Sequence, residues 1–349
     1  MNMREQTKAV KVGHLLLGGN SEVLIQSMTN TDTNDVIATL AQLDELAAAG
    51  CQIARLAVVD EDAAKAFGKI KEKSKLPLVA DIHFNYRIAL ECMEAGADKI
   101  RINPGNIGSE EGVKAVAIMA RNKQIPIRIG VNAGSLSNHI LAEYGNTPQG
   151  MVESAFEHIE LLNRYDFDDI VISLKASNVS KTIEAYRLMS THSIYPLHLG
   201  VTEAGTLISG AVKSAIGIGT LLLDGIGDTI RVSLTANPVE EIVVAQEILK
   251  SVGLYANGIE LISCPSCGRC KIDLIQIANE VQKATAHIPK KLKVAVMGCA
   301  VNGPGEAREA DIGVAGGDGC GLIFKKGEIL KKVNENEIVN VLIAEIKEM

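Results

Sequence analysis

Five of the seven cysteines in this 349-residue chain fall in its last quarter. Cys264, Cys267 and Cys270 follow the spacing CxxCxxC, and Cys299 comes just before a glycine- and proline-rich turn that ends at Glu306. Thiolates drawn from two such segments are typical ligands of zinc and of iron–sulfur clusters. The cysteine spacing therefore predicts a metal centre in the C-terminal part of the chain.

Two kinds of metal centre compete for these cysteines. The segment at Cys264 opens as CPxCG, which zinc ribbons share, but such ribbons usually carry a second matching CxxC knuckle. Here the lone Cys299 stands in place of that knuckle, so the spacing favours a cluster and leaves structural zinc as the alternative. The polar N-terminus is unlike a signal or transit peptide. We therefore expect a reducing cytoplasm and no disulfide framework.

The amino-acid composition argues against nucleic acid and membranes as binding partners. The chain is 47% hydrophobic and 22% charged, which is an ordinary balance for a globular protein with a sizeable core. A formal net charge of −7 and a pI near 5.6 argue against a surface that binds nucleic acid. The longest apolar runs, such as Ile216 to Leu223, are too short and too interrupted by glycine to cross a bilayer. We expect neither nucleic acid nor a membrane as a partner.

Short β-branched runs alternate with amphipathic segments along the first 250 residues. This alternation indicates repeated βα units and a parallel sheet, and eight units of this length suit a (β/α)8 TIM barrel better than a doubly wound sheet. The glycine pairs at 217–219 and 225–227 are predicted to form turns before the last strand. The predicted strands are Val23–Ser27, Ile53–Val59, Leu76–Ile82, Lys99–Ile102, Ile127–Val131, Asp169–Leu174, Pro196–Val201 and Thr229–Leu234.

The pattern changes after Leu249, which indicates a second domain. Residues 254–260 are predicted to be a connection, and the stretch beyond it to be a small α+β domain. We therefore predict a substrate-binding barrel over residues 1–253 and a metal-binding domain over residues 254–349. The predicted elements of the second domain are strands at Lys293–Met297, Asp311–Ala315 and Gly321–Phe324 and a closing helix near Asn336–Lys347.

Polar side chains recur near the carboxyl ends of the predicted strands, where barrel enzymes build their active sites. Charged residues interrupt apolar strands at a desolvation cost, so they are expected to have partners. The positively charged residues recur at equivalent places on the strands of a net acidic protein, which predicts an anionic ligand. Arginine side chains bind phosphate oxygens in pairs, so a phosphate or diphosphate ester is the expected ligand. The residues are Arg55, Asp81, His83, Arg101, Asn103, Arg128, Asn132, Lys175, His198, Glu203, Arg231 and Ser233.

Several longer segments resemble those of the hydroxymethylbutenyl diphosphate synthase family. The resemblance runs through nearly the whole length and implies a barrel followed by an iron–sulfur domain, in the short two-domain bacterial form. It also implies a two-electron reductive ring opening, with loss of water, that converts the cyclic diphosphate of methylerythritol into the linear hydroxymethylbutenyl diphosphate. The matching segments are Gln26–Thr31, Ala80–Arg87, Arg101–Gly108, Arg128–Ser135 and Asn302–Glu306.

The resemblance also implies roles for particular residues. A [4Fe-4S] cluster would be held by Cys264, Cys267, Cys299 and Glu306, and the polar barrel residues would bind the substrate. Glu203 would be the proton donor. Electrons would come from ferredoxin or flavodoxin, and the site would be shared between the barrel of one subunit and the cluster domain of its partner in a homodimer.

Some alternatives remain open at this point. Cys270 departs from the simple CxxC motif and, with the nearby Cys320, offers another thiol; we prefer Glu306 as the fourth ligand, because three cysteines in so short a loop rarely reach one cubane. A barrel transferase of the pterin-binding kind would also bind a diphosphate, but would not require the cysteines. A non-catalytic electron carrier or zinc-stabilised protein would leave the cationic barrel unexplained.

Overall fold

The computed structural model describes residues 3–103, 109–255, 258–286, 288–299 and 309–349. These fall into two units, Met1–Leu254 and Tyr255–Met349, which are described separately. Within the described ranges, no helix has both the length and the apolar character needed to cross a membrane.

Eight parallel strands of the first unit, β3 to β10, form a closed ring. Hydrogen-bonded pairing runs β8-β7-β6-β5-β4-β3-β10-β9, and a parallel bridge between Ile172 and Leu197 joins β8 to β9. The predicted TIM barrel is thereby confirmed, although its last two strands contribute only two paired residues each. The strands of this unit are β1 Val10–Val12, β2 Leu15–Leu17, β3 Leu24–Met28, β4 Ile53–Ala57, β5 Leu78–Asp81, β6 Lys99–Ile102, β7 Ile127–Asn132, β8 Ile170–Lys175, β9 His198–Leu199 and β10 Thr229–Ile230.

Helices follow the barrel strands, and local sequence explains where most of them begin. Asp60, Asn85 and Asn237 each accept a backbone N–H of the first turn, which satisfies a donor that has no partner within the helix. The helices are α1 Val36–Ala48, α2 Glu61–Lys71, α3 Tyr86–Glu94, α4 Glu110–Lys123, α5 Asn138–Tyr144, α6 Pro148–Asn163, α7 Val179–His192, α8 Leu207–Leu223 and α9 Pro238–Ser251.

Two features of the barrel differ from the predictions. The antiparallel hairpin of β1 and β2 was not predicted; its Val10, Val12 and Leu17 pack against residues near the amino ends of the barrel strands, such as Leu24. The glycines at 217–219 lie inside α8 and do not form a turn. Gly217 is needed for close packing, since a Cβ there would lie 2.7 Å from a methyl carbon of Val201.

Over its described residues, the second unit contains a five-stranded sheet and two α-helices. The pairing order is β11-β12-β13-β14-β15, with the first three strands parallel and the last two antiparallel. Both helices contribute to one core, through Val281 and Leu342, and a smaller cluster contains Met297 and Phe324. Strand β11 occupies part of the predicted connection. The elements are β11 Ile259–Ser263, α10 Leu274–Thr285, β12 Leu292–Met297, β13 Ile312–Gly317, β14 Cys320–Lys325, β15 Glu328–Asn334 and α11 Ile338–Glu348.

Candidate active site

The barrel interior changes from apolar to charged along its strands. Residues two apart on a strand share a face, so Arg55 lies on the same face as Ile53, and Asp81 on the same face as Val79. Ile53 and Val79 belong to an apolar cluster, whereas Arg55 and Asp81 are buried charges. The strands therefore carry ionic groups from an apolar floor toward their carboxyl ends.

Asp81 joins two of the predicted arginines. Its Oδ1 lies 3.2 Å from Arg101 Nη1, and its Oδ2 lies 3.6 Å from Arg55 Nε. Burial alone would raise the pKa of this carboxyl, but Arg55 and Arg101, with a smaller effect of Arg128, hold the pKa below its usual value. Arg55 also donates from Nη2 to Met28 Sδ at 2.9 Å. One carboxylate thus fixes two guanidinium groups next to each other.

Arg128 is the largest fully buried side chain among the described residues. It is 1% exposed, and its Nη1 donates to Ser173 Oγ at 3.1 Å. Its Nε and Nη2, like Nε of Arg101 and of Arg231, have no hydrogen-bond partner among the residues described. Buried donors without acceptors are costly. An anion with several oxygen atoms would satisfy such a set.

Two glycines make room for cationic side chains. A Cβ built on Gly130 would lie 2.6 Å from Arg101 Nε, and one on Gly200 would lie 2.8 Å from Lys175 Nζ. Lys175 is buried, and burial, followed by the charges of Arg128 and Arg231, lowers its pKa well below the usual value. Burial and the neighbouring cations therefore disfavour the positive charge of Lys175, which a bound anion would stabilise.

Glu241 was missed by sequence reasoning, although it contacts a predicted residue. Its Oε1 lies 3.5 Å from Arg231 Nη2 and accepts the backbone N–H of Leu234 at 3.0 Å. Its Oε2 accepts Ser27 Oγ–H at 3.0 Å. Glu241 belongs to α9 and not to a strand, so a search for polar residues at strand ends could not find it.

The floor of the charged region contains His198 and a lysine that the sequence search also missed. Lys99 is fully buried and donates to Gln26 Oε1 at 3.3 Å; burial, then Arg128, lower its pKa well below the usual value. His198 Nδ1 is hydrogen-bonded to Thr229 Oγ1 at 2.7 Å, while its Nε2 has no partner among the residues described. The structure places His198 inside the barrel.

The remaining predicted residues follow strands at or beyond their carboxyl ends. His83 and Glu203 are exposed, whereas Asn103, Asn132 and Ser233 are half-buried. Glu203 has a φ of 53°, an uncommon backbone conformation for a residue other than glycine. Such outliers cluster at functional sites, where the surrounding structure holds them.

The predicted cysteine ligands lie at one edge of the second unit. Strands β11 and β12 are parallel neighbours, so Cys264 and Cys299, which follow their carboxyl ends, emerge at the same edge. The N–H of Gly298 donates to Cys264 Sγ at 3.3 Å, and its carbonyl accepts the N–H of Lys271 at 2.9 Å. The CxxCxxC loop is therefore tied to the turn that carries Cys299.

The other two cysteines of that loop have different surroundings. Cys267 is exposed, and hydrogen bonds from the backbone and side chain of Arg269 lower the pKa of its thiol. Cys270 is partly buried against the core, and its Sγ donates to the carbonyl of Ile272 at 3.2 Å. A Cβ on Gly298 would lie only 2.6 Å from Cys270 Sγ. Cys270 thus packs beneath the turn that precedes Cys299.

The donor chemistry of this edge fits a thiolate-bound iron cluster. Sulfur ligands, an N–H···S hydrogen bond and a thiol whose pKa is lowered are features that such clusters use. Over the described ranges, no three His, Cys, Asp or Glu side chains stand together as a ready-made metal site. The fourth predicted ligand, Glu306, lies outside the described residues, which omit 300–308.

Comparisons with known proteins cover both units. Residues 7–246 match the family described as the GcpE TIM-barrel domain, and residues 260–348 match the GcpE protein C-terminal domain. The chain is 62% identical to the 4-hydroxy-3-methylbut-2-en-1-yl diphosphate synthase (flavodoxin) of Clostridium perfringens, over 97% of this chain and 98% of that protein. A protein of the same name from Ruminiclostridium cellulolyticum is 57% identical, over 99% and 98% of the two chains.

Solved structures share the barrel alone. The dihydropteroate synthase of Yersinia pestis is 14% identical with a TM-score of 0.50, over 71% of this chain and 99% of that one. The phospho-2-dehydro-3-deoxyheptonate aldolase of Thermotoga maritima is 11% identical with a TM-score of 0.51, over 71% and 72% of the two chains. At such low identity the likeness shows a common fold and nothing about chemistry.

Proposed function

This chain belongs to the GcpE family, and on that premise we propose that it reduces 2-C-methyl-D-erythritol 2,4-cyclodiphosphate to (E)-4-hydroxy-3-methylbut-2-enyl diphosphate in isoprenoid biosynthesis. The observation that carries the proposal is the set of buried guanidinium donors inside the barrel that have no partner among the described residues. Relatives of 57 to 62% identity named 4-hydroxy-3-methylbut-2-en-1-yl diphosphate synthase (flavodoxin) support it. The pterin-type transferase is not favoured, because those relatives are named as the diphosphate synthase.

The reaction consumes two electrons and two protons and releases one water. The carbon–oxygen bond that closes the ring breaks, the diphosphate remains on the opened chain, and a hydroxyl leaves as water. The protein must therefore hold a diphosphate firmly, deliver protons and receive electrons. Each of these tasks can be assigned to side chains of this chain.

The buried cations hold the diphosphate. Arginine forks bind phosphate oxygens in pairs. Nε and Nη2 of Arg128 and Nε of Arg101 have no partner among the residues that the structure describes, so they can bind the diphosphate. Lys175 adds a point charge beside Gly200, where the absence of a Cβ leaves room for its ammonium. Asp81 keeps Arg55 and Arg101 together without neutralising the whole set. Their combined field attracts the anion before contact.

Residues around the carboxyl ends of the strands contact the rest of the substrate. We assign hydrogen-bonding roles to His83, Asn103, Asn132 and Ser233, and His198 completes the set from inside the barrel. Glu203 is the proposed proton donor. It is exposed, and the N–H of the preceding Thr202 donates at 3.4 Å to the carbonyl of Ala176, the residue that follows β8.

The thiols of Cys264, Cys267 and Cys299, with Glu306, would hold a [4Fe-4S] cluster, which when bound supplies electrons one at a time. Gly298 supports this arrangement by directing its N–H to Cys264 Sγ. The carboxylate of Glu306 would be a weaker partner for iron than a thiolate. Flavodoxin is the proposed electron donor, since the relatives are named for it, with ferredoxin as the alternative.

We assign substrate binding to residues 1–253 and cluster binding to residues 254–349. The protein is proposed to act in the cytoplasm as a homodimer, in which the barrel of one subunit and the cluster domain of its partner complete one site. This arrangement would bring the electron source to the diphosphate site.

An anaerobic assay tests the proposal directly. The reconstituted protein, supplied with a chemical reductant, should consume the cyclic diphosphate and form the linear product, while iron and sulfide analysis reports cluster loading. Arg101→Met should abolish turnover with its cluster content unchanged, because it removes a diphosphate ligand and no cluster ligand. A fully loaded protein that leaves the cyclic diphosphate intact would contradict the proposal.

A further inference from the structure

Glu241 belongs to an outer helix, yet its carboxylate reaches the cationic interior of the barrel. Helix α9 begins at Pro238 after the cap of Asn237, so Glu241 lies in the first turn. The residue is 5% exposed. A buried carboxylate in the first turn of a helix is stabilised by the helix dipole, and it requires hydrogen-bond donors.

Three donors from different segments meet this carboxylate. Ser27 on β3 donates to Oε2, and the backbone of Leu234 donates to Oε1. Arg231, which directly follows β10, places Nη2 3.5 Å from Oε1. Both oxygens are therefore occupied, and the carboxylate cannot rotate without losing a contact. The carboxylate of Glu241 therefore stays in one position beside the Arg231 guanidinium.

The guanidinium of Arg231 has a hydrogen-bond partner for one nitrogen and none among the described residues for another. Its Nη2 faces Glu241, whereas its buried Nε has no partner among the described residues. A guanidinium is planar, so fixing one nitrogen restricts the direction of all of its N–H groups. The contact with Glu241 thus restricts the directions in which the N–H of Nε can point.

We propose that Glu241 is a positioning residue for Arg231: its carboxylate orients the guanidinium toward the bound diphosphate and does not itself touch the substrate. This inference rests on the proposed function, which supplies the diphosphate. A second role for the same carboxylate would be to neutralise Arg231. The two roles have opposite signs, because loss of a neutralising charge strengthens the attraction for an anion, whereas loss of a positioning contact weakens binding.

Calorimetric binding of inorganic diphosphate to the full-length, reconstituted protein distinguishes the two roles. Glu241→Ala should raise the Kd about 10-fold or more, the loss expected when one charge-assisted hydrogen bond is no longer well directed. Glu241→Gln keeps an acceptor at the same place and should recover most of the affinity. Tighter binding by either variant, or a Gln variant as weak as the Ala variant, would overturn the proposal.

A double-mutant cycle tests whether Glu241 acts through Arg231. In an Arg231→Met background the contact is already lost, so Glu241→Ala should have little further effect on the Kd. Equal losses in both backgrounds would show that Glu241 acts by another route and would overturn the proposal. Glu247→Ala is the matched control, since this glutamate lies on the same helix but its carboxylate is half-exposed and paired with Lys250.

A stability control separates positioning from simple loss of structure. Ser27→Ala removes the donor to Oε2 and leaves Arg231 opposite Oε1, so it should lower the Tm and change the Kd much less than Glu241→Ala does. Equal effects of the two variants on the Kd would contradict the proposal. A wild-type protein that does not bind inorganic diphosphate would overturn it as well, whereas binding without turnover contradicts the proposed function alone.

Discussion

The guanidinium of Arg101 lies directly over Gly130, so closely that a Cβ on the glycine would come within 2.6 Å of Nε. Gly130 is on the neighbouring strand β7, and its φ is not among the positive values of the chain. Glycine is therefore needed at position 130 because a side chain would collide with Arg101, and not because the backbone has a positive φ. That space is what allows Arg101 to reach Asp81.

Gly130→Ala should weaken diphosphate binding without removing any charge. The added methyl would displace the guanidinium, which is the flexible end of a long side chain, so the fold should remain intact. We expect the Kd for inorganic diphosphate, or the KM for the cyclic substrate, to rise roughly 10- to 100-fold, the range for one charge-assisted hydrogen bond. Calorimetry and steady-state kinetics measure the two quantities.

Gly134→Ala is the control for this prediction. Gly134 follows the same strand, but a Cβ there would meet no described atom within 4 Å. Its Kd should match that of the wild type. An equal loss in both variants would mean that general loop disturbance, and not Arg101, determines the affinity.

Asp81→Asn should destabilise the protein at neutral pH. Removing one member of a buried ion pair leaves the other charge uncompensated, and such changes typically cost about 3 to 5 kcal/mol. The folded-state pKa of Asp81 is lower than its usual value of 3.8, so its contribution is present in full above about pH 4 and is lost as the pH falls through the folded pKa. Urea unfolding of both proteins across pH 3 to 7 should show the gap closing only at the acid end. A gap that stays constant to pH 3 would rule out the ionised carboxylate as its source.

The sequence predicts the barrel strands and the arginines on them, because both form a pattern that repeats along the chain. The barrel strands lie in predicted runs of four to seven residues, which are long enough to show a pattern even where, as in β9 and β10, only two residues pair. The arginines stand out because they interrupt those runs. Strands β1 and β2 have three residues each, too few for a periodic signal. Glu241 was missed because it belongs to α9 and not to a strand end, although Arg231 is only ten residues away. Lys99 was missed because it begins β6 and its partner Gln26 lies 73 residues away, so only the closed fold brings the two together.

Lys175→Met should stabilise the ligand-free protein while weakening diphosphate binding. The folded-state pKa of Lys175 is lowered by burial and by Arg128 and Arg231, so the unfolded chain binds the proton more readily. Wild-type stability should consequently rise with pH between that lowered pKa and about 10.5, and the variant should lack this rise. At pH 7 the gain should be roughly 1 to 3 kcal/mol, the usual range for a poorly satisfied buried polar group.

Thermal unfolding with and without inorganic diphosphate measures both effects of Lys175→Met. The ligand should raise the Tm of the wild type more than that of the variant, because a ligand stabilises the state that binds it. Lys114→Met, which changes an exposed lysine on α4, should alter neither quantity. A variant that is less stable than the wild type without ligand would show that Lys175 already has a counter-ion in the empty barrel.

Cys270→Ser should retain the cluster, whereas Cys264→Ser, Cys267→Ser and Cys299→Ser should each lose it. The reason is the position of Cys270 Sγ, which donates to the carbonyl of Ile272 and packs against Gly298. Serine can keep that hydrogen bond at a modest packing cost of about 1 kcal/mol. Iron and sulfide content after anaerobic reconstitution, together with electron paramagnetic resonance of the reduced protein, reports the outcome for each variant.

Glu306→Ala completes the test of the ligand set. If Glu306 is the fourth ligand, this variant should show an altered resonance spectrum and greatly reduced turnover, while Cys270→Ser keeps the wild-type spectrum. Cys320→Ser serves as the control, because Cys320 begins β14 and packs against Gly317 instead of the CxxCxxC loop. An active, spectrally unchanged Glu306→Ala protein combined with cluster loss in Cys270→Ser would assign the fourth position to Cys270, and would turn a site with one exchangeable oxygen ligand into a closed, all-thiolate one suited to electron transfer alone.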